Sequence, residues 1–146
     1  MNPTPHLLLA INRAADKIVP KKWGYESHII NNEKFCLKYL VFYKGGKLSL
    51  HAHKVKTELF HCISGKFGLT LQYGTMESLQ EKKLISAGDK IYLTPDTYHS
   101  LECFEEGIIT EVSTTDRSED SFRLIESSFD SENDGNIKDY LNNSND

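Results

Sequence analysis

The stretch of sequence that decides the fold lies at residues 45–65 and is GGKLSLHAHKVKTELFHCISG. Within it, His51 and His53 are separated by one residue. On a β-strand these two side chains point to the same face, because strand side chains alternate between faces with a period of two. Two imidazoles on one face can bind the same ion. The pair is therefore a candidate metal site.

The residues around the pair favour β-structure. Two glycines at residues 45–46 indicate a turn, and residues 47–51 and 57–64 have the composition of strands. A hairpin-like connection through residues 54–56 would bring Glu58 back beside the two imidazoles. The sequence thus predicts a carboxylate next to the histidine pair.

A further candidate ligand, His99, lies 41 positions after Glu58 and follows a predicted strand and a turn that begins at Pro95. A small β-barrel is an architecture that could bring such distant residues to one point. Three neutral imidazoles and one carboxylate suit divalent first-row metals such as Mn, Fe, Ni, Co or Zn, and they do not select one of them. A metal that takes five or six ligands would keep one or two positions for water or substrate.

These spacings carry a family resemblance. Residues 45–65 resemble the first cupin motif, in which glycines flank the ligands: Gly45, His51, His53, Glu58 and Gly65. Residues 88–99 are similar to the second cupin motif, although Thr97 stands where glycine is usual and no asparagine follows at the usual distance. The resemblance implies an all-β, single-domain cupin, a jelly-roll-like double-stranded β-barrel, that binds one divalent transition metal through His51, His53, Glu58 and His99. Two alternatives stay open: ordinary polar residues on a solvated sheet face, and a barrel of this shape without metal.

A second, weaker resemblance concerns function. Four short segments at residues 22–26, 48–50, 111–113 and 119–123 together resemble type II phosphomannose isomerases and related sugar-isomerase cupins. Those enzymes often carry glutamine at the position of His51, so the ligand set here is more similar to that of D-lyxose isomerases. The resemblance implies a metal-dependent aldose-ketose isomerase that acts on a sugar or sugar phosphate through an enediol.

The same resemblance suggests roles for four more residues. Lys56 precedes Glu58 by two residues, as in D-lyxose isomerases, and Glu111 lies on a predicted late strand; both are candidate proton shuttles. Lys22 and Arg123 are candidate substrate-binding residues, because cations bind phosphate and hydroxyl groups. The alternatives are solvated charges for Lys56 and Glu111, and a surface salt bridge to Glu119 for Arg123.

Two other functions remain open at this point. A non-catalytic, metal-containing sugar-binding cupin would bind metal without exchanging substrate protons with solvent. An Fe-dependent dioxygenase is also compatible, because three histidines with open positions suit iron and O₂.

Composition limits the partners. The net charge of −4 and the pI near 5.9 argue against nucleic acid. The longest aliphatic run, residues 7–11, is much shorter than the roughly 20 residues of a membrane span and lacks the features of a secretory signal. We therefore expect a cytoplasmic protein with no membrane contact, a small-molecule sugar partner and, as in many cupins, a homodimer.

The predicted organisation has three parts. Residues 1–20 form an N-terminal helix that begins at Thr4 and Pro5 and ends at Pro20. Residues 21–125 form the barrel, with strands predicted at 35–43, 47–51, 57–64, 66–73, 82–86, 90–94, 100–104 and 108–114. Residues 126–146 form a flexible, polar and acidic tail, with a short docked helix around residues 137–141 as the alternative. The three cysteines, Cys36, Cys62 and Cys103, are expected to be buried reduced thiols, and the last two could line the cavity.

Overall fold

The computed structural model describes residues 4–76, 79–131 and 137–141. Across these residues the chain forms two helices and eleven strands, which are α1 Thr4–Ala14, β1 Lys17–Lys21, β2 Gly24–Asn31, β3 Cys36–Phe42, β4 Gly46–Lys47, β5 Leu50–His53, β6 Glu58–Tyr73, β7 Gln80–Ser86, β8 Lys90–Leu93, β9 Thr97–Ser113, β10 Ser121–Ile125, β11 Ser128–Phe129 and α2 Lys138–Leu141. The all-β prediction is confirmed. Neither helix is long and apolar enough to cross a membrane within this part of the chain.

Strand β9 is the centre of the sheet. It pairs with β6 along nearly its whole length, and on its other side it pairs in turn with β5, β4 and β3. The outer strands pair with these: β2 pairs with β3 and β1 with β2, while β10 pairs with β5 and β11 with β4. All of these pairings are antiparallel, and the sheet curls around an apolar interior that includes Trp23, Phe42 and Phe67.

Two predicted strand breaks are wrong. The runs 57–64 and 66–73 are one strand, β6, and the runs 100–104 and 108–114 are likewise joined in β9. Gly65 has φ +92°, and a Cβ atom there would lie 2.6 Å from the Cα of Gly107 on the facing strand. The pairing register of β6 with β9 shifts around this point. Glycine therefore permits a close approach of two bent strands, and it does not end them.

The predicted hairpin between the ligand strands is also wrong. The predicted strand at 47–51 is divided into β4 and β5, and β5 pairs with β9 and β10 and has no pairing with β6. Glu58 pairs instead with Ser113 of β9 and Leu93 of β8. The chain thus crosses from one part of the curled sheet to another through residues 54–57, and this crossing still brings Glu58 to His53.

The N-terminal helix is shorter than predicted. It ends at Ala14, and residues that were assigned to it, including Pro20, form strand β1. Strand β1 pairs only with β2, and an edge strand tolerates proline because the missing N–H would face away from the sheet. Ile11 of α1 packs against Val41 and Ile108, so the apolar stripe of the helix serves core packing.

The polar tail is partly ordered. Strand β11 pairs with β4, so the sheet extends beyond the predicted boundary at residue 125. The alternative of a docked helix is borne out by α2, whose Tyr140 is buried. Residues 132–136 and 142–146 of the predicted tail lie outside the described residues.

The three cysteines are free and buried, as predicted. Cys62 and Cys103 belong to the apolar interior cluster and are absent from the lining of the cavity described below. The prediction that they line the cavity is therefore wrong, because both thiols pack in the apolar core.

Candidate metal centre and its cavity

Three histidines converge at one end of the barrel. His51 lies on β5 directly opposite His99 on β9, and His53 follows on the same face of β5. The rings of His51 and His99 are 4.4 Å apart between centroids, and those of His51 and His53 are 5.0 Å apart. One ring nitrogen from each histidine lies within 4.8 Å of the others, so the three could hold one metal ion.

Backbone carbonyls fix the protonation of these histidines. Each Nδ1 donates a hydrogen bond to a main-chain oxygen: His51 to Ser49 at 2.9 Å, His53 to Asp120 at 3.2 Å and His99 to Thr97 at 3.1 Å. A carbonyl can only accept, so in the neutral rings the proton is on Nδ1 and Nε2 carries a lone pair. Burial and the neighbouring His99 lower the pKa of His51 to about 3, and burial also lowers the pKa of His99. Neutral imidazoles of this tautomer are ready metal ligands.

Glu58 completes the set of donors. Its Oε1 lies 2.8 Å from His53 Nε2, and its Oε2 lies 3.6 Å from His99 Nε2. All four of these atoms are buried without a hydrogen-bond partner. Burial would raise the pKa of Glu58, but contact with His53 and the charge of Lys56 outweigh it and lower that pKa. A cation shared by the two Nε2 lone pairs and the carboxylate would satisfy all four atoms, so the residues fit a divalent metal.

Lys56 links the candidate ligand Glu58 to two further carboxylates. Its Nζ lies 3.1 Å from Glu58 Oε1, 3.0 Å from Glu111 Oε2 and 3.0 Å from Asp116 Oδ1. Burial would lower the pKa of Lys56, but the charges of Glu111, Glu58 and Asp116 outweigh it and raise that pKa. Lys56 is therefore a fixed, buried ammonium, and it is not the solvated loop charge that the sequence left open.

Glu111 faces the interior as well. It is 5% exposed and lies opposite Lys38 of β3 on one side and Phe60 of β6 on the other. Burial and the charge of Glu58 raise the pKa of Glu111. The exposed strand-edge alternative for this residue is thus wrong.

Sequence reasoning missed the outer part of this ionic network. Asp116 Oδ2 accepts a 2.6 Å hydrogen bond from Lys38 Nζ, and Lys38 also lies 3.7 Å from Glu26. Glu26 in turn contacts His28 Nε2 at 2.7 Å. The available signal was Lys38 itself, a single charged residue in an otherwise apolar strand.

The two predicted substrate-binding residues have different positions. Arg123 of β10 lies opposite His51 and lines the cavity. Its side chain is half exposed and pairs with Glu126 at 3.2 Å, so the alternative of a salt bridge to Glu119 is wrong. Lys22 is exposed in the turn between β1 and β2 and is absent from the lining, in which its neighbour Lys21 takes part.

The centre opens into a cavity of about 300 Å³. Apolar residues such as Trp23, Leu40 and Phe60 form part of its wall, and the histidines and the Lys56 network form the polar remainder. A pocket of this size and composition suits a small polar molecule. Such a molecule would reach both the candidate metal position and Glu111.

Solved structures share this backbone arrangement. An oxalate decarboxylase of Bacillus subtilis matches 74% of this chain and 30% of its own, with a TM-score of 0.62 and 21% identity. An RmlC-like cupin of Shewanella frigidimarina matches 70% of this chain and 86% of its own, with a TM-score of 0.60 and 20% identity. The chain has the cupin fold. The capsular polysaccharide assembling protein CapF of Staphylococcus aureus is similar over 75% of this chain and 34% of its own, with a TM-score of 0.63 and 14% identity.

These structural similarities show the fold of this chain and leave its chemistry open. No protein-family model and no curated protein matches the sequence. The chain spans about a third of the oxalate decarboxylase that it matches. The cupin fold that the sequence resemblance implied is confirmed, and the resemblance to phosphomannose and lyxose isomerases stays a prediction.

Proposed function

We propose that this cupin is a metal-dependent aldose-ketose isomerase that acts on a sugar or sugar phosphate. The observation that carries the proposal is the position of Glu111. This buried carboxylate lines the same cavity as His51 and His53, and Lys56 joins it to Glu58 through contacts of 3.0 and 3.1 Å. A base beside a Lewis-acid site is the equipment that moves a proton between carbons next to a carbonyl.

The metal would be held by His51, His53, His99 and Glu58. When bound, a divalent ion would polarise the sugar carbonyl and stabilise negative charge on its oxygen. The protein's contribution is to exclude bulk water from this end of the barrel and to fix the three imidazoles through their Nδ1 hydrogen bonds.

The proposed reaction needs no oxidant or reductant. In the direction from aldose to ketose, the C–H bond at C2 breaks and its proton passes to a carboxylate oxygen of Glu111. The same carboxyl group returns the proton to C1, while the hydroxyl proton of O2 is lost and O1 gains one. Bonds and protons balance, and the sugar changes only in the position of its carbonyl.

Lys56 would act beside Glu111. Its ammonium contacts Glu58, Glu111 and Asp116, so it can hold the Glu111 carboxylate against the cavity. Because these contacts raise its pKa, Lys56 keeps its proton and acts as a positioning residue, whereas Glu111 is the general base, a role that typically contributes about 10²- to 10⁴-fold to the rate. The description of CapF as a capsular polysaccharide assembling protein supports carbohydrate as a substrate class for this fold.

The test is solvent exchange. Metal-loaded protein is incubated in D₂O with a panel of aldoses, ketoses and their phosphates and is followed by NMR. We expect interconversion of one aldose-ketose pair with deuterium incorporated at C1 or C2. The absence of both isomerisation and exchange across the panel would contradict the proposal.

Two variants test whether Glu111 is the base that accepts the carbon-bound proton. Glu111→Gln should lower exchange by at least about 10²-fold with unchanged metal content, because the amide cannot accept the carbon-bound proton. The matched control is Glu102→Gln, which changes another buried glutamate of β9 that contacts Tyr140 and is absent from the cavity lining. Equal losses in both variants would remove Glu111 from the mechanism.

The three-histidine group also supports a second candidate, an Fe-dependent dioxygenase, because histidine nitrogens alone can hold the metal. Oxygen uptake that requires Fe(II) would favour that function over the isomerase. Sugar binding with neither oxygen uptake nor proton exchange would favour a non-catalytic sugar-binding cupin.

A further inference from the structure

The cavity is a positive region of an acidic protein. Its lining contains six lysine or arginine side chains and four carboxylates, whereas the chain as a whole has a net charge of −4. A bound divalent metal would add to this local positive charge. Charge of one sign that lines a concave, low-dielectric site attracts ligands of the opposite sign.

The inner charges of the cavity are not the source of its positive sign, because two ammonium groups, Lys38 and Lys56, stand among four carboxylates. Lys38 and Lys56 contact all four carboxylates of the lining, as described above. The surplus is therefore carried by the other cations: Lys17, Lys21, Arg117 and Arg123.

Three of these outer cations are unpaired. Within the part of the chain that the structure describes, no ion pair involves Lys17, Lys21 or Arg117. Arg123 differs, because it contacts Glu126. Lys21 acts on Glu26 at longer range, where its charge helps to lower the pKa of that carboxyl group, and no carboxylate contact in the described residues explains the positions of Lys17 and Arg117.

The local structure explains why these side chains share one opening. Lys17, Val19 and Lys21 alternate along β1 and all line the cavity, as a period of two requires. Arg117 immediately precedes the 3₁₀ turn Ser118–Asp120, whose last residue also accepts the His53 hydrogen bond. The cations thus come from two elements, one on the edge of the sheet and one next to the metal centre.

We propose that Lys17, Lys21 and Arg117 form a subsite for an anionic group of the substrate, a phosphate or a carboxylate. The identification of the rest of the substrate as a sugar depends on the proposed function. The anion would lie at the mouth, and the other end of the molecule would extend to the histidines and Glu111. Ammonium and guanidinium groups form charge-assisted hydrogen bonds to such oxygens, and these are stronger than bonds between neutral groups.

The probes are inorganic phosphate and gluconate, titrated into zinc-loaded protein and followed by backbone amide NMR shifts. We expect saturable shifts at residues 17–19, 21 and 117, because Pro20 has no amide proton. The variant Lys17→Gln/Lys21→Gln should weaken this binding by on the order of tenfold or more, because each charged hydrogen bond contributes about that factor. Lys22→Gln, an exposed neighbour that does not line the cavity, should bind as the wild type does.

Two results would overturn the subsite. One is the absence of saturable shifts at these residues with either anion, and the other is an equal loss of affinity in Lys22→Gln. Tighter binding of phosphate than gluconate would support a phosphate ester, and the reverse would support a sugar acid. Anion binding without proton exchange on any sugar would support the subsite and contradict the isomerase. Proton exchange without anion binding would support the isomerase and contradict the subsite.

Discussion

Asp120 supports the metal centre from outside it. Its carboxylate accepts hydrogen bonds from the backbone N–H groups of Lys54, Val55 and Lys56 at 3.0 to 3.3 Å. Its main-chain oxygen accepts the Nδ1 hydrogen bond of His53. One residue therefore shapes the crossing between β5 and β6 and also orients a ligand, so it is a positioning residue for the site.

Removal of this carboxylate should weaken metal binding. We expect Asp120→Ala to lower the metal affinity by about 10- to 100-fold, as is typical when a partner of a metal ligand is lost. Asp120→Asn should restore most of the affinity because its amide oxygen still accepts, and Glu119→Ala should have no effect. Competition with a chelator of known affinity measures these values. Equal affinities in wild type and Asp120→Ala, or a failure of Asp120→Asn to rescue, would contradict this role.

Asp116 should make stability depend on acid pH. Burial would raise its pKa, but the charge of Lys56 and the hydrogen bond from Lys38 outweigh burial and lower the pKa below its ordinary value of 3.8. A carboxyl group with a depressed folded-state pKa contributes stability above its unfolded pKa and loses that contribution as the pH falls. The ion pairs of Asp116 should therefore stabilise the protein at neutral pH and fail in acid.

The variant Asp116→Asn tests this dependence. At pH 7 it should be less stable than wild type, and the difference in the free energy of unfolding should shrink as the pH falls from about 5 to about 2. Urea unfolding at a series of pH values gives this difference. A difference that stays constant over the range would show that Asp116 does not titrate as described.

The candidate ligands were predictable because their signal is local. A period of two places His51 and His53 on one face, and a motif with fixed spacing adds the others. The partners Lys38 and Asp116 were not predictable, because they reach Lys56 through strand register and through a loop after β9. Lys22 was predicted because it belongs to the segment at residues 22–26 that carries the sugar-isomerase resemblance, and only the strand face of β1 shows that Lys21 lines the cavity.

Among the elements, the long strands were the hardest to predict. Gly65 was treated as a strand end because glycine commonly marks turns, and residues 105–107 were left between two predicted strands. In the folded chain Gly65 and Gly107 face each other across β6 and β9, where any Cβ would collide with the opposite backbone. Only the pairing partner distinguishes a bulge of this kind from a turn, and a single sequence does not give it.

Helix α2 docks through one aromatic side chain. The ring of Tyr140 lies over Gly68 of β6, its hydroxyl donates to Glu102 at 3.1 Å, and its ring contacts Phe104. A Cβ atom at Gly68 would lie 2.6 Å from this ring. Because Gly68 has no side chain, the ring of Tyr140 has room to pack against β6.

A double-mutant cycle tests this docking. We expect Tyr140→Ala to destabilise the fold by about 3 to 5 kcal/mol, as for other buried aromatic residues. Gly68→Ala should be destabilising in the wild type, because it displaces the ring, and nearly neutral in the Tyr140→Ala background. Urea unfolding measures all four proteins, with the more exposed Leu141→Ala as a control. Additive effects would show that the two residues do not depend on each other.

At the scale of the whole molecule, the sequence predicted the fold better than it predicted the chemistry. The cupin fold followed from two motifs with glycines at fixed spacing, and the structure confirms it. The sugar substrate and the homodimer stay predictions, because they depend on which molecules fit the cavity and the outer surface. The positive cavity in a chain of net charge −4 is visible only after folding collects its cations.

The proposed isomerase depends on one divalent metal ion bound by His51, His53, His99 and Glu58. Calorimetric titration of the metal-free protein with Zn²⁺ tests this most directly. We predict one tightly bound ion per chain and a loss of more than about 100-fold in affinity in His99→Ala, whereas His61→Ala, an exposed histidine, should bind as the wild type does. Absence of stoichiometric binding, or unchanged affinity in His99→Ala, would contradict the metal centre.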